Sequence, residues 1–207
     1  MQTEELRNME NKKRNTIIVG FCGKEGAGKS TLANFTATGL QLKGHYVIVD
    51  SFAAPLKTGL AAILNLDRRC LQGKEMREQR EMYNEDVATL FAGEATTLRE
   101  AMIVYGQKLR AINSAFWVQS MAMRLRGNAP DILVIDDVRQ ANEFAWIHSM
   151  GGYVFGVQGI NDVKLDREAF PYDLLLRNDK TLGHTSKVNC WNVIMEALQM
   201  QYVELRA

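Results

Sequence analysis

Apolar runs bounded by turn residues alternate with amphipathic stretches along most of the chain. The first, TIIVGFC at residues 16–22, carries no charge and leads into a glycine-rich segment. Comparable runs occur at 46–49, 132–135, 153–157 and 173–176. Short apolar runs of this kind predict strands buried on both faces of a parallel sheet. Helical periodicity predicts helices over 30–43, 140–149 and 186–203, with Gly44 placed to stop the first of them. Strands alternating with helices predict an α/β fold on a doubly wound, five-stranded parallel sheet.

Residues 51–128 break the alternation. They are rich in helix formers and contain no strand-like run, so they read as a helical insertion between the second and third strands. Its clearest helix is TTLREAMIVYGQKLRAIN. Thr97 and Glu100 have capping-box spacing, and Leu98, Met102, Tyr105 and Leu109 form one apolar stripe. Arg99 and Arg110 fall nearly on one face, about 16 Å apart along the axis. Gly106 lies between them, where a missing side chain leaves room for something to approach.

Composition narrows the classes of function. The chain has 207 residues, 46% of them hydrophobic, which suits one domain with one substantial core. Lys and Arg number 25 against 24 Asp and Glu. A balance so close to neutral gives no electrostatic drive toward nucleic acid or a membrane surface, and neither is expected as a partner. Cys22, Cys70 and Cys190 form no CxxC pair; they read as reduced thiols of a cytoplasmic protein. Residues 1–14 are polar and predict a mobile tail or a short exposed helix. No secretory leader or membrane-spanning run is visible. His45, His148 and His184 are scattered without ligand spacing, so no metal is assigned to them.

The chemistry begins at GKEGAGKST. Gly23, Gly28, Lys29 and Ser30 satisfy G-x-x-x-x-G-K-[ST], between an apolar run and a predicted helix. Glycines let the backbone curl so that successive N–H groups converge on an anion at the helix N-terminus. Gly23, Lys24, Gly26, Ala27, Gly28, Lys29, Ser30 and Thr31 are the candidate triphosphate contacts. Lys29 reaches the β- and γ-phosphates, and Ser30 is placed to ligate Mg²⁺. The run DILVIDDVRQ ends in Asp136 and Asp137, then Arg139. An acid there can hold Mg²⁺, and the arginine can neutralise a transferring phosphoryl group. Asp137 is the favoured acid because it belongs to D-x-R, with Asp136 the alternative. A GTPase would need NKxD, and no such string occurs; the pairing suits a small-molecule kinase better than a motor.

Several blocks, in order, resemble the deoxynucleoside monophosphate kinases of tailed bacteriophages, and more distantly the animal phosphomevalonate kinases. They are GKEGAGKST, DSFAAPLK, TLREAMIVYGQKLRAINSAFWV, VIDDVRQANEFAWIHSMGG and DLLLRNDKTL. The resemblance implies a single P-loop kinase domain with an acceptor-binding insertion at 51–128 and a short lid at 158–172. It implies transfer of the γ-phosphoryl group of ATP, with Mg²⁺, to a deoxynucleoside monophosphate. Lys57, Arg99 and Arg110 would contact the acceptor phosphate, and Trp117 would line or support the base pocket. Lys29, Asp137 and Arg139 would be catalytic, and Asn178 and Asp179 would lie near the donor adenine. Ala54 departs from the family's usual acid before the proline. The lid offers only Lys164 and Arg167. A cytoplasmic location is implied, the host's if a phage encodes the chain, and a homodimer is left open. The rival readings are a P-loop kinase for another acidic acceptor, a regulatory ATP-binding module, and an ATPase associated with nucleic acid.

Overall fold

The structure, a computed structural model, describes residues 16–71, 83–159 and 164–204, with 200–204 by backbone alone. The tail expected at 1–14 and positions 160–163 of the expected lid lie outside these residues. In chain order the elements are β1 (Ile17–Cys22), α1 (Lys29–Leu42), β2 (Val47–Asp50), α2 (Ala54–Ile63), a 3-10 turn (Arg68–Leu71) and α3 (Asn84–Leu90). There follow α4 (Leu98–Ile112), α5 (Phe116–Asn128), β3 (Ile132–Val138), α6 (Ala141–Ser149), β4 (Tyr153–Gly159), β5 (Leu174–Asn178), a 3-10 turn (Lys180–Leu182) and α7 (His184–Glu204). The chain divides into two compact units, Met1–Ser51 with Arg124–Ala207, and Phe52–Met123.

The first unit is the doubly wound sheet that the alternation predicts. Its five strands run parallel in the order β2-β3-β1-β4-β5. One face carries Ile17, Val19, Phe21, Ile132 and Val134, packed with Ala33, Ala37 and Leu40 of α1 and Ile194 and Leu198 of α7. On the other face the bare Gly20 of β1 admits Ile147 of α6; a Cβ there would lie 2.9 Å from the isoleucine Cδ1. Helices thus cover both faces, which is why every residue of β1 is buried. β1 sits centrally between β3 and β4, where the strand order reverses. Open α/β sheets bind ligands at the carboxyl ends of strands at such a point.

β3 runs three residues beyond the apolar segment 132–135, to Val138. Its register against β1 shifts there: Gly20 faces Ile135, but Cys22 faces Val138. Asp136 and Asp137 therefore both stand opposite Phe21, as a bulge. Bulges re-aim side chains, so simple alternation cannot decide which acid points where.

The chain leaves the sheet unit after Ser51 and returns at Arg124. Arg124 Nε donates to Asp50 Oδ2 at 2.7 Å, and its Nη2 donates to the Ser51 carbonyl at 2.9 Å. One guanidinium therefore ties the outgoing strand to the returning helix.

The second unit has its own small core of Leu60, Ala61, Leu66, Cys70, Leu71, Val87, Ala95, Leu98 and Ala101. α4 starts with the expected capping box: Glu100 N donates to Thr97 Oγ1, and Thr97 N to Glu100 Oε2, both at 3.2 Å. Ala101 joins Leu98 on its buried face, with Met102 and Tyr105 packed at the margin. Gly106 does provide for a close approach, and what approaches is α2. A Cβ at Gly106 would lie 3.0 Å from Leu56 Cδ1 and 3.8 Å from Arg110 Nη1.

Candidate functional site

The glycine-rich loop leaves β1 at Cys22 and enters α1 at Lys29, so its backbone curls directly over the carboxyl end of the central strand. Two of its glycines are sterically required. Gly23 has φ +139°, and a Cβ there would lie 2.3 Å from the Val157 carbonyl oxygen of β4. Gly28, the N-cap of α1, has φ +98°, and its Cβ would lie 2.2 Å from Asn178 Nδ2. Only glycine adopts these angles freely.

The loop is braced by the segment after β5. The buried Asn178 donates from Nδ2 to the Ala27 carbonyl at 2.8 Å, and Lys180 Nζ donates to the Gly26 carbonyl at 2.5 Å. In a trans peptide the C=O and the next N–H point in opposite directions. Pinning the Ala27 carbonyl to Asn178 therefore turns the Gly28 N–H the opposite way, as an anion cradle needs. Asn178 itself is held: the Ser186 hydroxyl, which accepts from Asp179 N at 2.8 Å, lies 3.4 Å from Asn178 Oδ1. Asp179 caps the following 3-10 turn by accepting from Thr181 N at 2.9 Å.

Lys29 is 8% exposed, and its Nζ donates to the Gly23 and Lys24 carbonyls at 2.9 and 2.8 Å. Burial, and next the Arg139 charge, push its pKa below the ordinary lysine value; the Asp136 carboxylate pulls the other way. The pairing of Cys22 with Val138 sets the start of the loop beside the end of β3, so Lys29 and the Asp136–Arg139 segment, far apart in sequence, stand at the same end of the sheet. Asp137, the acid favoured from the D-x-R spacing, is partly buried on the same bulge. Next to the loop, burial pushes the Cys22 thiol up to about 12, so it stays protonated and unreactive. Ser30 is exposed in the first turn of α1.

The remaining sequence-predicted residues belong to the second unit. Lys57 is half-buried in the first turn of α2, and Arg99 is exposed at the start of α4 with Arg110 at its end. Trp117 is 4% exposed, edge-on to Phe116 with ring centroids 4.9 Å apart. That burial leaves little of the ring exposed for a base to stack on. Sequence reasoning missed Lys180 and the loop-bracing part of Asn178. Their contacts with residues 26 and 27 span more than 150 positions, so no local pattern carries them.

A hydroxyl at Ser30 and carboxylates at Asp136 and Asp137 are hard oxygen donors of the kind Mg²⁺ takes. Among the described residues no group of three or more His, Cys, Asp or Glu could hold a metal. Among the described residues no helix is long and apolar enough to cross a membrane.

No protein-family model matches the chain, and no curated protein matches it at a significant level. Among solved structures it is similar to a cysteine-to-alanine mutant of the Mycobacterium tuberculosis APS kinase CysC. That match has 15% identity and a TM-score of 0.43, covering 89% of this chain and 97% of that one. The same kinase in complex with AMPPNP and APS gives 16% identity and a TM-score of 0.41, covering 89% and 98%. Similarity at this level assigns neither substrate nor activity to the chain.

Proposed function

We propose that the protein transfers the γ-phosphoryl group of ATP to the 5′-phosphate of a deoxynucleoside monophosphate. The single observation that carries the donor half is the phosphate loop on the central strand, with its buried Lys29 at the end of the sheet where β3 leads into Arg139. The acceptor half is supported by the ordered sequence blocks, which resemble those of bacteriophage deoxynucleoside monophosphate kinases.

An acceptor phosphate oxygen bonds to the γ-phosphorus as the bond to the β–γ bridging oxygen breaks, so ADP and the nucleoside diphosphate leave. The acceptor is already a nucleophile, and the barrier is one of charge and alignment. An ammonium has three N–H donors; Lys29 commits two to loop carbonyls, and the third is assigned to the β- and γ-oxygens. Arg139 offsets charge on the group in flight. Lys57, Arg99 and Arg110 are assigned to the acceptor phosphate, with Trp117 behind the base. Ser30 and an acid of the β3 bulge would hold Mg²⁺, which neutralises phosphate charge when bound. Asp137, in the D-x-R unit, is assigned that place, with Asp136 the alternative.

Two experiments test the reading. Asp137→Asn is expected to raise the Mg²⁺ concentration needed for half-maximal turnover by about tenfold or more, with Asp136→Asn having the smaller effect. An equal or larger effect of Asp136→Asn would move the role to that residue. The acceptor is tested by ADP release across deoxynucleoside monophosphates, phosphomevalonate and dephospho-coenzyme A. Stimulation by one or more deoxynucleotides alone is expected. Stimulation by another acid only would reject the acceptor, and ATP binding with no acceptor-stimulated release would reject the kinase.

A further inference from the structure

We infer that Glu143 is a positioning residue that aims Arg139 at the phosphate loop, an inference that rests on the proposed role of Arg139 in phosphoryl transfer. Only Arg139 and Gln140 separate the end of β3 from the start of α6. In that short turn Glu143 Oε2 accepts from the backbone N–H of Arg139 at 2.8 Å and from that of Gln140 at 3.0 Å. A capping box requires only the second of these bonds, to the N-cap residue. The first reaches one residue further back, to the arginine itself. The Glu143 side chain belongs to a residue only 3% exposed. A buried carboxylate is costly to retain unless it is well bonded. A simple helix start is served as well by an exposed Ser, Thr or Asp.

The consequence lies in direction. Arg139 is exposed, and its long side chain has many rotamers. Its Cα–Cβ vector, however, is set by the backbone, and the backbone is tied at the N–H by a charge-assisted bond. The guanidinium therefore sweeps a restricted cone, and it starts beside the loop, because Val138 before it pairs with Cys22, the last residue before Gly23. Val138, fully buried against Gly20, fixes the residue before it. Arg139 is thus held from the strand side by packing and from the helix side by Glu143.

A double-mutant cycle on the full chain tests this, with kcat, the KM for ATP and the unfolding midpoint measured for each variant. Glu143→Ala is expected to lower kcat by about tenfold, since misplacement of a charge by an ångström costs up to about a hundredfold. The KM for ATP should move by less than about threefold, because the loop is untouched. In an Arg139→Ala background the same change should cost less than about twofold in kcat, because its effect runs through a group no longer there. Glu143→Gln keeps a carbonyl oxygen for the two N–H groups and should recover most of kcat. Should Glu143→Ala fail to fold, the cycle is run with Glu143→Gln, whose smaller loss should likewise vanish without Arg139. Equal losses in both backgrounds, or a lowered midpoint with unchanged kcat, would overturn the inference. Wild-type turnover in Arg139→Ala would instead remove the role of Arg139, and the inference with it.

Discussion

Replacing Lys29 with alanine or methionine is expected to lower turnover by about 10²- to 10³-fold, the scale of losing one preorganised charge at a reacting oxygen. The fold should survive, because the buried ammonium is desolvated at a cost that offsets its bonds to the loop. The methionine variant makes the second point measurable. Burial and Arg139 hold the Lys29 pKa below its unfolded value, so at neutral pH the wild type carries an ammonium the folded chain disfavours. As pH rises through the folded pKa toward the unfolded one, the folded chain releases a proton that the unfolded chain keeps. Stability rises wherever the unfolded state binds more protons. Wild type should therefore gain on Lys29→Met in that alkaline window, by denaturant midpoints measured at matched pH. Near-normal turnover in a folded Lys29→Ala protein would reject the phosphate-loop assignment.

The second large effect belongs to the loop glycines, and it should be graded. Gly28→Ala incurs the left-handed backbone penalty of about 1–2 kcal/mol and meets Asn178 Nδ2. The loss should be about 2 kcal/mol or more, equivalent to roughly 4–8 °C in a chain of this size. ATP affinity should fall with it, because the obstruction breaks the bond that orients the Ala27–Gly28 peptide. Asn178→Ala in the same chain should remove the collision and leave the backbone penalty, so the double variant should be less unstable than the sum of the singles. Gly23→Ala offers no such relief: its Cβ meets the Val157 carbonyl, a backbone atom of a central strand. It should be the least stable of the set. Gly26→Ala, with open space around its Cβ, should be the mildest. An inverted order in thermal unfolding would mean that the loop is not held by β4 and Asn178 in this way.

The phosphate loop and the five strands were legible because each is local. Glycine spacing, apolar run length and the Thr97 capping box are all written within a few residues of one another. The strand order was not legible, because the sequence of elements along the chain does not say which strands become neighbours. Which acid of β3 faces the loop was not legible for a related reason. Asp136 and Asp137 differ by one position, and in a regular strand alternation would separate them. The bulge opposite Phe21 depends on how β1 and β3 meet, which neither strand encodes alone. The buried carboxylate of Glu143 was visible only as one letter in DVRQANE, with no sign of the backbone groups it holds.

The bonds from Arg124 to Asp50 and Ser51 bear on how this chain can vary. They close the loop formed by the whole inserted unit at its base. Closing a flexible loop costs only about 0.6 kcal/mol more for each doubling of its length. The sheet, with its ends already fastened, is thus nearly indifferent to how much chain is threaded between them. Segments can be lengthened, shortened or traded between Ser51 and Arg124 while the donor machinery stays registered on β1 and β3. On this arrangement the inserted unit is free to diversify at a pace that the glycine-rich loop cannot share.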